Sequence, residues 1–268
     1  MNIRFKISFL LVFLCLTASF FQSCGIEPLL PPNIIKAPFN LVLYPHNGSI
    51  TVQFESYNNE ENFDGFNVYL SQSSGIRTSG IEPLKPNGTL PTIPATRYET
   101  SGGKVIRWTF SKDASNDPLL NGVTYYVSVR SRSYDGFLSD FTAEVSTTPR
   151  PESSSVLFLA NGSGFSLVNN NFSEPYDIKL TRQSNVSFLS CPSGRIKDEG
   201  YYYSMEEYNR VVDDGFLPVG ASVPVAQGHV YIIKRTDNRF GKIYVKSVDD
   251  TGINFEWAFQ EVVGNLDI

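Results

Sequence analysis

The stretch that decides the fold is residues 119–129, which read Leu119-Leu120-Asn121-Gly122-Val123-Thr124-Tyr125-Tyr126-Val127-Ser128-Val129. Asn-Gly is a strong signal for a tight turn. After it, Tyr125, Val127 and Val129 occupy alternate positions. A period of two with one apolar face is typical of an antiparallel strand that packs on a core. The stretch therefore predicts a turn followed by a half-buried strand.

The same alternation appears on both sides of this stretch. Residues 49–54 place Ile50, Val52 and Phe54 on one face, and residues 65–70 do the same with Phe66, Val68 and Leu70. Aromatic residues are abundant at 13% of the chain, with 41% hydrophobic and 18% charged residues overall. Aromatic and branched side chains pack well on a pleated surface. The composition is that of a folded, mainly β protein.

Residues 38–149 resemble a fibronectin type III domain. The closest likeness is Leu119-Leu120-Asn121-Gly122-Val123-Thr124-Tyr125, which is similar to the family's Leu-x-Pro-Gly-x-x-Tyr motif before strand F. The resemblance implies an antiparallel β-sandwich in which Tyr125 is the tyrosine corner, its hydroxyl bonded to the backbone upstream. Phe54 stands where the family has a strand B tryptophan.

The C-terminal part predicts a second, β-rich (α+β) domain. Short strands are expected at 156–159 and 186–189, and the last three, at 229–235, 240–248 and 253–260, form an antiparallel meander. Ser204-Met205-Glu206-Glu207 has the spacing of a capping box, which predicts a helix that ends at Gly215. On strand 240–248, Ile243 and Val245 are expected to face a core, and Lys242, Tyr244 and Lys246 to face solvent.

These patterns divide the chain into five segments. They are a lipoprotein signal peptide at 1–23, a Pro-rich tether at 24–37, the fibronectin type III-like domain at 38–149, a linker at 150–155 and the β-rich C-terminal domain at 156–268.

The first 24 residues predict export and lipidation. Arg4 and Lys6 precede an uncharged apolar run from Ile7 to Phe21, long enough for a signal peptide but short for a membrane span. Ser23-Cys24 at its end resembles the lipobox of bacterial lipoproteins, although Phe21 and Gln22 depart from the usual pattern. The resemblance implies that the Cys24 thiol is acylated and holds the protein to the lipid bilayer of the cell envelope. We favour the outer membrane, with the mature part periplasmic or surface-exposed. An ordinary signal peptide with a Cys near its end is the alternative.

Charge excludes some classes of partner. The formal charge is −5, and loss of Arg4 and Lys6 leaves 20 basic against 27 acidic residues, or about −7. No basic stripe appears, so we expect no nucleic-acid partner. A protein or glycan partner is predicted instead.

Two loops are candidates for contact with that partner. Residues 71–96 form a long insertion after the third predicted strand, and it contains Arg77. Loops of this length are often functional, although a tolerated surface insertion is the alternative. The F–G loop, Ser131–Leu138, offers Tyr134, Asp135 and Phe137, an aromatic and acidic mixture typical of contact surfaces.

The sequence predicts no catalytic set, no metal site and no cofactor. Cys191, His229 and Asp213 are the one conceivable thiol set, which would make the chain a cell-wall hydrolase with the sandwich as a spacer. Tyr201-Tyr202-Tyr203 and Met205 could serve a haem-type carrier in the C-terminal domain. Asp113–Asp117 could donate oxygens to calcium but lacks the features of an EF-hand loop. The main prediction remains a non-catalytic binding module.

Overall fold

The structure is a computed structural model that describes residues 35–95, 103–159 and 163–268. The described residues from 35 onward belong to one compact unit. The predicted signal peptide, Cys24 and most of the tether thus lie outside the described residues. Of the described residues, 49% lie in strands and 3% in helices. This confirms the mainly β fold class.

The N-terminal sandwich consists of two antiparallel sheets. The first has the strand order β1-β2-β5 and the second the order β4-β3-β6-β7. Non-consecutive strands pair in both, since β2 lies beside β5 and β3 beside β6. The strands are β1 (Phe39–His46), β2 (Ser49–Ser56), β3 (Phe63–Ser71), β4 (Ile93–Pro94), β5 (Lys104–Phe110), β6 (Tyr125–Ser133) and β7 (Val145–Thr147).

The core of this sandwich contains the alternating residues that the sequence places inside. Ile50, Val52 and Phe54 of β2 are fully buried, as are Val127 and Val129 of β6. The ring of Phe54 meets that of Phe66 on the facing sheet edge-on, with the centroids 4.8 Å apart. Edge-to-face contact is a preferred geometry for aromatic pairs. It closes the sandwich at the position where the resemblance expected a tryptophan.

The C-terminal sandwich also pairs two antiparallel sheets. One has the order β13-β11-β10-β9, and the other the order β12-β14-β15-β16-β8. The meander predicted for the chain end is confirmed, because β14, β15 and β16 are neighbours in the larger sheet. The strands are β8 (Glu152–Phe158), β9 (Gly164–Phe165), β10 (Ile178–Gln183), β11 (Val186–Ser190), β12 (Gly194–Tyr201), β13 (Ser222–Pro224), β14 (His229–Arg235), β15 (Phe240–Val248) and β16 (Gly252–Gln260).

Both faces of the larger sheet are covered, which differs from the prediction of a half-buried sheet. Ile243 and Val245 face the smaller sheet, as expected. On the opposite face Lys242 is also fully buried, and Ala258 and Gln260 lie beside it, equally inaccessible. A second apolar layer covers this face, formed by Tyr208, Val211, Val230, Ile232, Phe240, Ala258 and Ile268. The expectation that Lys242 faces solvent is therefore wrong.

The helix predicted from Ser204 to Gly215 is wrong as well. The segment contains one 3₁₀ turn, Met205–Glu207, and then runs on without regular structure. Its backbone groups are used elsewhere: Val211 N donates to Leu266 O, and the Tyr208 carbonyl accepts from Lys242. Tyr208 and Val211 still bury their side chains, at what looked like helical spacing. Tertiary hydrogen bonds override the local propensity.

A one-turn helix, α1 (Ile76–Ser79), is the other short helix among the described residues.

The segment expected to be a linker is more regular than its composition suggests. Residues 152–155 belong to β8, where Ser153 and Ser155 lie opposite Trp257 and Phe255 of β16. Serine is tolerated there because β8 is the edge strand of its sheet.

Tyr125 connects the turn quoted above to the core. Its ring is 2% exposed, and its hydroxyl accepts a hydrogen bond of 3.1 Å from the backbone N–H of Leu120. Without that oxygen the Leu120 N–H loses its partner in a partly buried position. The bond therefore holds the 119–124 turn against the start of β6.

We expect Tyr125→Phe to lower the free energy of unfolding by about 1–2 kcal/mol, the usual cost of a lost buried hydrogen bond. Urea denaturation measures the change. The control is Tyr126→Phe, because the neighbouring Tyr126 is half-buried and its hydroxyl has no hydrogen bond to the described residues. Equal effects of the two substitutions would show that the Leu120 bond contributes nothing.

The buried Lys242 predicts a pH dependence of stability. Its Nζ donates to the carbonyl oxygens of Met205, Tyr208 and Ile268 at 2.9, 2.6 and 2.9 Å. These acceptors favour the charged amine, but burial is the larger influence and lowers its pKa well below the ordinary value of 10.5. Between the folded and unfolded pKa values the unfolded chain binds more protons, so Lys242 makes stability rise with pH.

We expect the free energy of unfolding of the wild type to rise relative to Lys242→Met from about pH 7 to about pH 9.5, below the range in which unfolded tyrosines ionise. Urea denaturation across this range gives both curves. Lys246→Met, which removes a partly exposed lysine on the same strand, should run parallel to the wild type. A parallel curve for Lys242→Met would contradict the prediction.

Candidate functional site

The F–G turn carries two exposed aromatic rings on a backbone that is closed by hydrogen bonds. Ser133 N donates to Phe137 O at 2.9 Å, and Gly136 N donates back to Ser133 O at 3.0 Å. Gly136 has φ 83°, which glycine adopts without strain. Tyr134 is 63% exposed and Phe137 71% exposed. The turn thus holds two large apolar side chains in solvent.

The base of this turn is tied to its neighbours on both sides. Tyr134 N donates to Asn62 O at 3.0 Å, and Ser139 N donates to Ser131 O at 3.0 Å. Asp135 is exposed at the tip beside Gly136. The backbone hydrogen bonds fix the positions of Tyr134, Asp135 and Phe137 relative to the sandwich.

The insertion after β3 folds back on the sandwich. Gly75 N and Ile76 N, at the start of α1, both donate to the Glu144 carboxylate. The Arg77 guanidinium donates to the carbonyl oxygens of Phe141 and Thr142 at 3.2 and 3.3 Å. Arg77 therefore donates some of its hydrogen bonds to the backbone of its own domain. It contributes to the shape of this surface as well as to its charge.

Arg77 and the F–G turn do not form one site. Thr142 lies beside Val129, to which its backbone N–H and side chain are bonded, whereas the turn follows Ser133. Four residues along a strand correspond to about 13 Å. The two candidate loops therefore offer separate contact surfaces.

The second half of the insertion lines a groove that the sequence did not predict. Residues 84–86 form one wall, and the opposite wall comes from β5 and the connection after it, with Trp108, Phe110 and Lys112. The groove has a volume of about 490 Å³. Trp108 is one of two tryptophans in the chain, a weak signal, and nothing in the sequence brings it next to Lys85.

A cluster of charged residues joins the two sandwiches. His46 Nδ1 lies 2.9 Å from a Glu152 oxygen, and its Nε2 lies 3.8 Å from Glu206. Arg150 is 3% exposed and donates to Pro45 O; burial lowers its pKa to about 10, although Glu152 opposes this shift. Arg107 pairs with Glu206 from the other side. The cluster holds β1, β5 and β8 together with the 3₁₀ turn.

The conceivable thiol set is not assembled. Cys191 is fully buried, and burial raises the pKa of its thiol to about 12, with Asp177 adding to the rise. His229 Nδ1 contacts Asp198 at 3.0 Å, and Asp213 pairs with Lys234 at 2.7 Å. A thiol with a raised pKa is a poor nucleophile at neutral pH. His229 and Asp213 thus have other partners, and Cys191 lies in the core of the C-terminal sandwich.

The tyrosine cluster considered for haem is divided between surface and interior. Tyr201 and Tyr203 are exposed, and their rings meet edge-on at 5.3 Å. Tyr202 packs on Tyr208, and burial raises the pKa of its phenol. Met205 lies at the cleft beside His46. The side chains of the cluster thus point to different environments.

The described residues offer neither a metal-binding cluster nor a helix that could span a membrane. No group of three or more His, Cys, Asp or Glu side chains in them is arranged to hold a metal ion. In the loop considered for calcium, Asp113 Oδ1 accepts hydrogen bonds from the N–H groups of Ser115 and Asp117. No helix in the described ranges has the length and hydropathy to cross a membrane.

Comparison with known proteins gives distant structural neighbours only. No family model matches the sequence, and no curated protein is significantly similar to it. A DUF4466 family protein from Parabacteroides merdae has a TM-score of 0.37 at 10% identity, over 85% of this chain and 100% of the other. A cycloalternan-degrading enzyme from Trueperella pyogenes has a TM-score of 0.28 at 11% identity, over 81% of this chain and 32% of the enzyme. Similarity this low assigns neither a family nor an activity.

Proposed function

We propose that the protein is a lipid-anchored, non-catalytic binding module of the bacterial envelope. The observation that carries this proposal is the exposed aromatic pair on the F–G turn, Tyr134 and Phe137. Exposed rings are costly in water unless a partner covers them, and aromatic residues are enriched in interface cores. The partner is a protein or a glycan.

The rigidity of the turn supports a role in recognition. A loop that is already ordered loses little conformational entropy when it binds, so more of the contact energy appears as affinity. Hydrogen bonds from Ser133, Tyr134 and Phe137 order the backbone of this turn without any ligand. The backbone that carries the two aromatic rings is therefore ordered before a partner binds.

The sandwich that carries the turn is proposed to be of the fibronectin type III kind. Two observations support this: the connections between its sheets, with β2 beside β5 and β3 beside β6, and the bond from Leu120 N to the Tyr125 hydroxyl. Both are features of immunoglobulin-like sandwiches. Such sandwiches commonly bind partners through the loops at their ends.

The anchor is inferred from sequence. Arg4, Lys6, the apolar run and Ser23-Cys24 together form a lipoprotein leader, and Pro28, Pro31 and Pro32 make the following segment a stiff spacer. Acyl chains on Cys24 would keep the module at a membrane, in our proposal the outer membrane. The mature part would then work in the periplasm or at the cell surface.

The anchor is tested by intact mass spectrometry of protein purified from membranes. We expect the chain to begin at Cys24 and to carry the mass of attached acyl groups. Cys24→Ala should move the protein from the membrane to the soluble fraction, whereas Cys191→Ala should leave it in place. A mature wild-type chain with an unmodified Cys24 would contradict the lipoprotein assignment.

The contact surface is tested by photo-crosslinking in cells. A benzophenone amino acid at position 137 should give a discrete adduct on illumination, because Phe137 would be covered by the partner. The same probe at Val212, which is 58% exposed in the C-terminal sandwich, is the matched control. Tyr134→Ala should remove the adduct at 137. Equal labelling from both positions would show that the F–G turn has no specific partner.

A further inference from the structure

The groove beside β5 exists because one edge of the N-terminal sandwich is left open. The edge strand β4 has two residues and pairs only with Gly65 and Phe66 of β3. Further along β3, Leu84 of the insertion takes its place, with its N–H bonded to Val68 O at 2.8 Å. Beyond Leu84 no regular strand of the described residues closes this edge. The groove lies where this strand is missing, between residues 84–86 and β5.

The side chain of Thr92 fixes the wall that faces β5. Its Oγ1 accepts from Val68 N at 3.1 Å and donates to Leu84 O at 2.6 Å, and the residue is 3% exposed. Leu84 is itself 2% exposed. This bridge makes residues 84–86 a fixed part of the sandwich rather than a loose loop.

The opposite wall is aromatic. Alternate residues of β5 point toward the core, which brings Trp108 and Phe110 to the same side of the strand. Their rings stack with the centroids 5.2 Å apart and the planes inclined by 23°. Phe110 is 6% exposed, while Trp108 is only partly buried and borders the groove. The groove is therefore bordered by an indole ring that is held in place by its stack on Phe110.

Hydrogen-bond donors surround this surface. The Trp108 Nε1–H has no acceptor among the described residues. The Lys112 ammonium is bonded to the neutral Asn116 Oδ1 at 3.1 Å and forms no ion pair with a described carboxylate. Lys85, on the other wall, pairs with Glu82 at 3.2 Å, but both side chains are largely exposed and such pairs are weak. The Asp113 carboxylate is turned to its own loop, where Oδ1 accepts from Ser115 and Asp117.

We propose that this groove binds an acidic glycan, a chain of sugars that carry carboxylates. A pyranose ring lies on Trp108, the ring hydroxyls accept from the indole N–H, and the carboxylate meets the ammonium groups of Lys85 and Lys112. The volume of about 490 Å³ is within the usual range for small-ligand sites. The proposal goes beyond the proposed function, because it assigns a ligand class to a second surface, away from the F–G turn.

The position of Trp108 provides the readout. The other tryptophan, Trp257, is 2% exposed in the core of the C-terminal sandwich and senses no ligand at the groove. Trigalacturonate is the probe, with maltotriose as its neutral counterpart and benzoate as an aromatic acid without sugar hydroxyls. Trigalacturonate should quench the tryptophan emission saturably, and calorimetry should give the same affinity. Maltotriose and benzoate should bind at least tenfold more weakly.

Variants locate the site. Lys112→Gln and Lys85→Gln should each weaken trigalacturonate binding about tenfold, since each removes a charged hydrogen bond. Trp108→Phe should abolish the fluorescence change and weaken binding in calorimetry. Lys246→Gln, a partly exposed lysine of the C-terminal sandwich, is the matched control and should bind as the wild type does. Raising the salt concentration should weaken binding of the wild type more than that of Lys112→Gln.

Four results would overturn the proposal. They are no binding of trigalacturonate, equal binding of maltotriose, binding of benzoate as tight as that of trigalacturonate, and affinity that survives the Lys85 and Lys112 substitutions. Circular dichroism of each variant separates lost binding from lost folding. If the groove fails while the Phe137 adduct and the acyl mass remain, the proposed function stands. If the groove binds while those two fail, the glycan site stands without the envelope anchor.

Discussion

The C-terminal sandwich depends on one buried lysine. Lys242 lies in the middle of the larger sheet, on the face opposite its main core, and donates to the carbonyl oxygens of Met205, Tyr208 and Ile268. An amine without partners in this place would be very costly. Tyr208 and Ile268 lie in irregular segments, and Met205 begins the short 3₁₀ turn. Lys242 and these segments thus satisfy each other, and the apolar layer around Tyr208 and Val211 covers the sheet as a result.

A different constraint shapes the N-terminal sandwich, where the edge strands are unequal. β4 has two residues and β5 has seven, so part of β5 has no strand facing it. Exposed edges invite unwanted pairing. The insertion covers the edge of β3 next to the short β4, through Leu84 and Thr92, but leaves a gap beside Trp108 of β5. A groove with donors around an aromatic surface is thus a direct product of how the sandwich closes.

The regular parts of the fold could be predicted from sequence because they depend on local pattern. The limits of β14 and β15 match the prediction, and Tyr125 lies where the turn signal places it. Two failures have a common cause. The spacing of Met205, Tyr208 and Val211 predicts a helix, and the alternation along β15 predicts that Lys242 faces solvent. Both patterns are ambiguous until the segment that packs against them is known. The groove between Trp108 and Lys85 brings together residues that are distant in the chain. No local sequence pattern predicts that such residues lie close together.

The charged cluster at His46 connects the N-terminal sandwich, which carries both contact surfaces, to the C-terminal sandwich. Arg150 is almost completely buried and donates to Pro45 O, and the His46–Glu152 contact crosses from β1 to β8. Loss of the Arg150 side chain would leave the Pro45 carbonyl without this donor and Glu152 without the cation that lies 3.8 Å away. The two sandwiches therefore resist hinging at the segment whose composition suggested a linker. A junction held by these contacts keeps the F–G turn and the groove in a constant position relative to the C-terminal sandwich. A ligand that contacts several of these surfaces would therefore cause little loss of conformational entropy on binding.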